Sequence, residues 1–343
     1  YKSLIFILYL GIFLGSGFRT PAQSRDSITL YGTLDTVQVI RQRIQHANEA
    51  NAGARVTHIS PAILQANKTR SLAELLTDHT SIYIKSLGTG ALSTASFRGT
   101  SASQTRVNWN GINITPPLSG TFDFSQIPVF FTDNINLYYG SSHVKNGTGA
   151  IGGSVNLFTD TDWNRGVNGR VLAEYGSYNT YTVGGQANIS GNKSASKTRL
   201  YYQHSDNDYT YLNKVLTNIP FREKRQDAAY SQFGIMQEGY FRVSPYTRLT
   251  AVAWYQKNHR NLPQPLGVVN RSQEDQEENN FRGYAGLDFS RGIHELHVKA
   301  AWLYFCQTYD IRYDGGLFDP KGNKNRSNTA QVVADYTYSP TDK

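Results

Sequence analysis

The residues of this chain with the widest chemical range are eight histidines, one cysteine and a few clustered carboxylates. Asp206-Asn207-Asp208 presents oxygen donors at alternate positions, a pattern suited to a hard cation such as Ca²⁺. Its two carboxylates, Asp206 and Asp208, would need further oxygens from elsewhere to complete a shell. Glu274-Asp275-x-Glu277-Glu278 is a denser acidic run inside a polar stretch that reads as a solvated loop. His294 and His297 are three apart, which on a strand puts them on opposite faces. His143, His204 and His259 stand alone. There is no G-x-S-x-G elbow, no phosphate loop and no metalloprotease helix motif. Catalysis is therefore not expected, and the chain reads as something other than an enzyme.

The best-defined pattern is structural and lies between Ser96 and Leu157. It runs Phe97-Arg98-Gly99, Val107 to Trp109, Asn110-Gly111-Ile112, Ile135-Asn136-Leu137, Tyr139-Gly140 and Gly147 to Leu157. Short apolar strands alternate with turns that Gly or Asn enters cheaply. Asn110-Gly111 between apolar triplets is a two-residue hairpin signal. Upstream, Ser60-Pro61 caps and opens one short helix, and Ser71-x-x-Glu74 forms a capping box for a second helix through about Asp78. A strand is expected at Ile82–Lys85, then loops at Gly88-Thr89-Gly90 and Pro116 to Phe122. On residue physics alone this describes a compact, glycine-punctuated α+β domain.

The ordered set Ser71-Leu72-Ala73-Glu74-Leu75-Leu76, Phe97-Arg98-Gly99, Asn110-Gly111, Ile127-Pro128, Gly140 and Gly149-Ala150-Ile151-Gly152-Gly153-Ser154 resembles the plug domain of TonB-dependent outer-membrane receptors. The resemblance covers residues 60 to 160 and implies roles for several positions. Arg98, Gly99, Asn110, Gly111, Gly140, Gly149, Gly152 and Gly153 are its plug motif. The loop residues Thr89, Leu92, Leu118, Ser119 and Phe122 would form the floor of a ligand pocket. Leu34 to Ile40 is a β-rich segment suited to adding a strand to a partner sheet, and Asp35, Thr36, Val37, Gln38 and Val39 look like a TonB box. The partner implied is the periplasmic energy-transducing protein TonB. Arg98 of such a plug needs a carboxylate partner, which in the family comes from glutamates on later wall strands. A second family arginine is replaced here by Tyr139.

The ends fit an exported protein. Lys2 precedes the apolar run Leu4–Leu14, followed by small residues up to Ala22, as in a signal peptide cleaved near residue 22. The chain opens on Tyr1 rather than Met, so a clipped start is expected. Residues 23–58 read as an N-terminal tail, 59–160 as the plug and 165–343 as part of a barrel. No later apolar stretch approaches the ~18 residues of a spanning helix. The composition is 39% hydrophobic and 13% aromatic, with 23 Tyr, 30 Gly and a mean hydropathy of −0.48. That balance suits a β protein with one wet and one apolar face. The net charge of +8 is scattered, without a basic block, so nucleic acid is not the expected partner. Cys306 stands alone, which excludes an intrachain disulfide, and reads as a small apolar filler.

From Arg170 the apolar pattern has period two. Tyr181, Val183, Ala187 and Ile189, then Leu296, Val298, Ala300, Trp302 and Tyr304, alternate with polar residues. About eight such runs are joined alternately by short turns and by long polar stretches near 206–227, 260–279 and 310–326. Tight turns at one end and long loops at the other are what a transmembrane barrel requires. Tyr255, Tyr304, Tyr336 and Tyr338 sit where interface girdles would fall. A barrel wide enough to hold a hundred-residue plug needs about 22 strands. The expected fold is an α+β plug domain followed by an antiparallel transmembrane β-barrel, truncated at roughly the first eight of those strands.

The function this implies is TonB-dependent import of a scarce large solute, a siderophore, haem or cobalamin, across the cell outer membrane, with outer-membrane lipid around the wall. Asn258 to Pro265 is similar to a segment of cobalamin-type receptors, and some of those order their outer loops with Ca²⁺ near the Asp206 position. A passive outer-membrane porin or adhesin is the alternative, and a hydrolase hidden in the wall a third.

Overall fold

The structure is a computed structural model that describes residues 55–140, 150–215, 219–266, 272–313 and 321–339. The signal-peptide segment, Asp35 to Val39 and Gly149 lie outside the described residues.

The first layer is built from β1 (Arg55–His58), α1 (Pro61–Ala66), α2 (Leu72–His79), β2 (Tyr83–Ser86), β3 (Ser93–Ser96), β4 (Thr105–Trp109), β5 (Ile112–Asn113), β6 (Asn134–Tyr139) and β7 (Gly153–Phe158). β1 begins ahead of the expected boundary at residue 59 and pairs with β6, so it belongs to the plug sheet. Ser60 caps α1 with Pro at its first turn. Ser71 and Glu74 cap α2 reciprocally, so two backbone donors are satisfied before the apolar face begins. The strand expected at Ile82–Lys85 is displaced by one residue, because Ile82 turns into the core. Five strands form one sheet in the order β1-β6-β7-β4-β5, with β4 and β7 parallel. Leu72, Leu75, Leu76, Phe97, Val107, Ile135, Leu137 and Val155 fill the core behind it.

Asn110 and Gly111 take φ of 50° and 85°, the left-handed pair that a two-residue hairpin between β4 and β5 demands. Asn110 then uses every polar group it has. Its N–H donates to Leu157 O, its amide donates to the Thr159 hydroxyl, and its side-chain oxygen accepts from the Thr159 N–H.

The second layer is an antiparallel wall of eight strands. Its members are β8 (Gly166–Gly176), β9 (Thr180–Ser190), β10 (Ser194–Ser205), β13 (Tyr230–Ser244), β14 (Thr247–Asn261), β15 (Ser272–Arg291), β16 (His294–Tyr313) and β17 (Lys321–Tyr338). β11 (Thr210–Asn213) and β12 (Phe221–Lys224) form a separate hairpin inside the long connection between β10 and β13. Each wall strand pairs with its sequence neighbours, and β8 and β17 do not meet, so the wall is an open arc.

Two expectations need correction. The acidic run Glu274 to Glu278 is not a loop. It lies on β15, whose 20 residues pair with both β14 and β16. The stretch at 310–326 likewise contributes to β16 and β17. Polar sequence implies loop, yet strands that project beyond an apolar band need no apolar face. Within the band the alternation is inverted relative to a soluble protein. On β13, Phe233, Ile235 and Phe241 are exposed while Gln232, Met236, Glu238 and Tyr240 are buried. Val171 and Val332 are 82% and 75% exposed, whereas Arg199 and Glu238 are fully buried. Outward rings stack in rows, Tyr181 on Tyr202, Phe233 on Tyr255 and Trp302 on Tyr304.

Gly153 marks a close approach to backbone inside the plug. A Cβ there would sit 2.5 Å from Tyr138 O and 2.7 Å from the Phe97 ring. Gly153→Ala is expected to cost about 1–3 kcal/mol by overpacking. Limited proteolysis of the folded protein should then cut the plug at lower protease concentration, with the wall strands unaffected.

Candidate functional site

The chemistry of this chain is concentrated on the seam where plug meets wall. Its centre is Asp133, which follows the plug's second Phe pair, Phe130 and Phe131, and precedes β6. Its carboxylate accepts from the backbone N–H of Asp160, from Lys197 Nζ at 3.0 Å and from the Arg199 guanidinium. Arg199 also lies 3.5 Å from Glu238 on β13, and Glu238 accepts from the Tyr240 hydroxyl at 2.9 Å. Lys68 closes the cluster from the plug side and donates to Thr132 O at 2.5 Å. Lys197 and Arg199 point inward because they alternate with outward residues along β10.

Burial alone would raise the Asp133 carboxyl, but Arg199 and Lys197, with the Asp160 N–H, outweigh it and hold its pKa down at about 2. Lys68 is shifted by desolvation, which the attraction of Asp133 only partly offsets, and its pKa falls to about 8.

A second ion pair joins Asp123 of the plug to Arg260 of β14 at 2.7 Å. Between these posts the wall reaches plug backbone with neutral side chains. Tyr201 and Gln203 donate to Thr69 O, Asn207 to Thr89 O, and Gln232 to Ser125 O. On β16, Lys299 caps Asn110 O at 2.5 Å, while Gln331 on β17 both donates to and accepts from the backbone of Asn113. Rings fill the middle. Trp109 packs on Trp254 and Tyr284, and Phe131 on Trp254, with centroids 5.2–5.3 Å apart. Gly234 makes room for this, since a Cβ there would lie 2.6 Å from Phe131. A neutral hydrogen bond contributes about 0.5–1.5 kcal/mol net, whereas breaking a buried ion pair by removing one partner costs about 3–5 kcal/mol. The two posts are therefore the strongest single fasteners on this side of the plug.

The expected site residues are placed as follows. Arg98 takes φ of 50° and lies 5.9 Å from the Tyr139 ring centroid, with Arg55 at 5.3 Å from the same ring. Among the described residues it forms no ion pair. The tyrosine at the second-arginine position thus gives both guanidiniums a ring face. Gly152 is pressed against Thr100, and Gly99, Gly111 and Gly140 all have positive φ. Leu92, Ser119 and Phe122 line one cavity of about 170 Å³ that Arg260, Arg282 and Gln307 close from the wall. Phe122 is buried against Phe124, Leu118 is 56% exposed, and Thr89 meets Asn207. Asp206 binds Asn179 and His204, whose hydrogen bonds hold its carboxyl below the usual range, while Asp208 pairs with Lys224 at 2.6 Å. The two carboxylates thus serve different partners, and among the described residues no group of three His, Cys, Asp or Glu gathers to hold a metal.

The seam's own charged residues carry only a faint signal in the sequence. Their signal is two cations two residues apart, Lys197 and Arg199, on one face of an alternating strand whose other face is apolar.

A stopper bonded through its backbone to the polar inner face of an outward-apolar strand wall defines a plugged outer-membrane β-barrel. Residues 48–154 match the family model described as TonB-dependent Receptor Plug Domain. The vitamin B12 transporter BtuB of Photobacterium profundum is 32% identical over 135 residues, which are 39% of this chain and 22% of that protein. Among solved structures, the siderophore receptor PiuA from Acinetobacter baumannii aligns with a TM-score of 0.63 at 17% identity, over 83% of this chain and 42% of PiuA. The ferric-catecholate import receptor Fiu from E. coli K12 aligns with a TM-score of 0.65 at 12% identity, over 85% of this chain and 47% of Fiu. Over this region the chain is similar to the plug domain of TonB-dependent outer-membrane receptors. The match spans about a fifth of the length of the curated relatives, 22% of the Photobacterium profundum protein.

Asp133→Asn should weaken plug docking by about 3–5 kcal/mol, because it removes the carboxylate that Lys197 and Arg199 share. Its folded pKa is depressed, so the wild-type contribution is complete above pH 3.8 and disappears as pH falls through about 2. Lys68 is depressed too, so docking likewise strengthens as pH rises from about 8 to 10.5. The urea midpoint for plug release, measured against pH in detergent, should show an acid step that the Asp133→Asn protein lacks.

Proposed function

We propose that this protein imports a scarce large solute across the outer membrane in an energised, TonB-dependent step. The observation that carries this reading is the plug itself, docked on the inner face of the wall by ion pairs and backbone hydrogen bonds. A passive pore has no use for a stopper so fastened. The vitamin B12 transporter and siderophore receptors among its relatives direct the substrate reading to cobalamin, haem or a ferric siderophore.

The residues suggest how such a step proceeds. Solute settles on the long-loop side, over Leu92, Ser119 and Phe122, with Arg260 and Arg282 as wall donors. Asp35, Thr36, Val37, Gln38 and Val39 are offered to TonB as an added strand. Force then enters the plug ahead of β1. That strand is at the edge of its sheet and pairs through four residues, so it is the first element such a force strips.

Deleting residues 34–40 from the full-length receptor should abolish uptake of the bound solute and leave equilibrium binding unchanged. The complete receptor should also be nearly silent in a planar bilayer. Uptake surviving the deletion removes the energised step, and steady open conductance removes the plug's role as stopper.

A further inference from the structure

The wall turns two arginines toward the plug loops around Leu92 and Phe122, and the two differ in what balances their charge. Arg260 on β14 is fully partnered. Its Nη1 donates to Asp123 at 2.7 Å, while Nε and Nη2 donate to Gln276 Oε1 at 3.3 and 3.1 Å. Arg282 on β15 is only 7% exposed, yet among the described residues it forms no ion pair. Its Nη1 donates to Gln256 Oε1 at 2.5 Å, and its guanidinium lies 4.5 Å from the Trp254 ring centroid. A neutral amide and a ring face do not balance a buried charge, and an unbalanced one is costly to keep.

Arg282 lines the cavity of about 170 Å³ whose apolar surface comes from Leu92, Phe122 and Ile127 of the plug and Phe305 of the wall. Glu278 lines it too, from the same face of β15. Four strand residues separate the two charges, about 13 Å along the backbone. Glu278 accepts from Gln276 Nε2 at 2.6 Å and from Gln307 Nε2 at 2.8 Å, and among the described residues it forms no ion pair either. One apolar-walled cavity thus holds a guanidinium and a carboxylate that are not each other's partner. Sites that enclose a drug-sized molecule start at about 300 Å³, so this one takes a single arm of a large solute. Arg282 attracts an acid and Glu278 repels one, which gives an acidic arm one favoured direction.

We propose that this cavity receives an acidic arm of the solute, an anionic oxygen group on an apolar stem, with Arg282 as the residue that selects for its charge. Arg260 lines the same cavity but stays occupied as a fastener of the plug. The inference rests on the reading of this cavity as the solute site. An acid completes Arg282 with charge-assisted hydrogen bonds, whereas an uncharged amide leaves the buried cation unbalanced. The stem covers Phe122 and Phe305. Of cobalamin, haem and the ferric siderophores, this favours haem, whose propionates are such arms, and acidic siderophores. Cobalamin, whose peripheral arms are amides, is disfavoured.

The test is equilibrium binding to the purified full-length receptor, with probes paired so that the acid is the difference. Haemin is compared with its dimethyl ester, and cyanocobalamin with the monocarboxylate made by hydrolysing one side-chain amide. Each acid should bind about tenfold or more tightly than its neutral copy, the worth of one hydrogen bond to a charged group. Arg282→Gln should bring that ratio to within about twofold, and Arg282→Lys, which keeps a cation, should hold it above that. The ratio in the unsubstituted receptor needs no variant, so it decides even where Arg282→Gln fails to fold. A ratio near one there, a ratio that folded Arg282→Gln leaves unchanged, or no binding by either acid overturns the assignment. Energised uptake is measured separately in cells. Uptake absent with the acid preference intact removes the import reading and leaves the acid site standing, and uptake intact without the preference does the reverse.

Discussion

A strand wall in hydrocarbon must pair every backbone group and turn its apolar side chains outward. The period-two geometry of a strand then forces the other half of its side chains inward, and in this chain those are Arg199, Glu238, Gln256, Asn258 and Arg260. Such an inner face cannot stay unsatisfied unless it is wet. Here it is partly covered by a folded domain that offers carbonyls, carboxylates and rings in return. The plug is in this sense the complement of a polar lumen, and its position follows from where the wall places its donors.

The exchange is mostly one-directional. Wall side chains donate, and plug backbone accepts, at Thr69, Thr89, Asn110, Asn113, Ser125 and Gln126. Backbone acceptors do not depend on which side chain the plug carries. Side-chain identity matters chiefly at Asp123 and Asp133, the two plug carboxylates that meet wall cations. Asp133 is also where chain path and electrostatics coincide. It holds the N–H of Asp160, so the segment leaving β7 toward β8 is tied to the same carboxylate as β10.

Arg55 and Arg98 show the opposite polarity on another part of the plug. Both lie over the Tyr139 ring, and neither meets a carboxylate among the described residues. A plug anchored by carboxylates on one seam and presenting guanidiniums elsewhere has a built-in orientation relative to its wall.

Much of the local structure was legible from residues alone. Ser60-Pro61, the Ser71–Glu74 box and Asn110-Gly111 act over three or four positions, so their outcome is set by short-range sterics and hydrogen bonds. The alternation of Val183, Ala187 and Ile189 or Trp302 and Tyr304 likewise fixes which side of a strand is apolar. What the sequence could not decide is what those inward residues meet. Lys197 and Arg199 read as ordinary polar positions until the fold brings Asp133 to them across more than sixty residues of chain. The acidic run at Glu274 read as loop because polarity reports solvent, and a strand standing beyond the membrane is as wet as a loop. Local rules determined the elements and their faces. The partners across the seam came from tertiary structure alone, because a contact between distant segments depends on register and curvature that no short window of sequence contains.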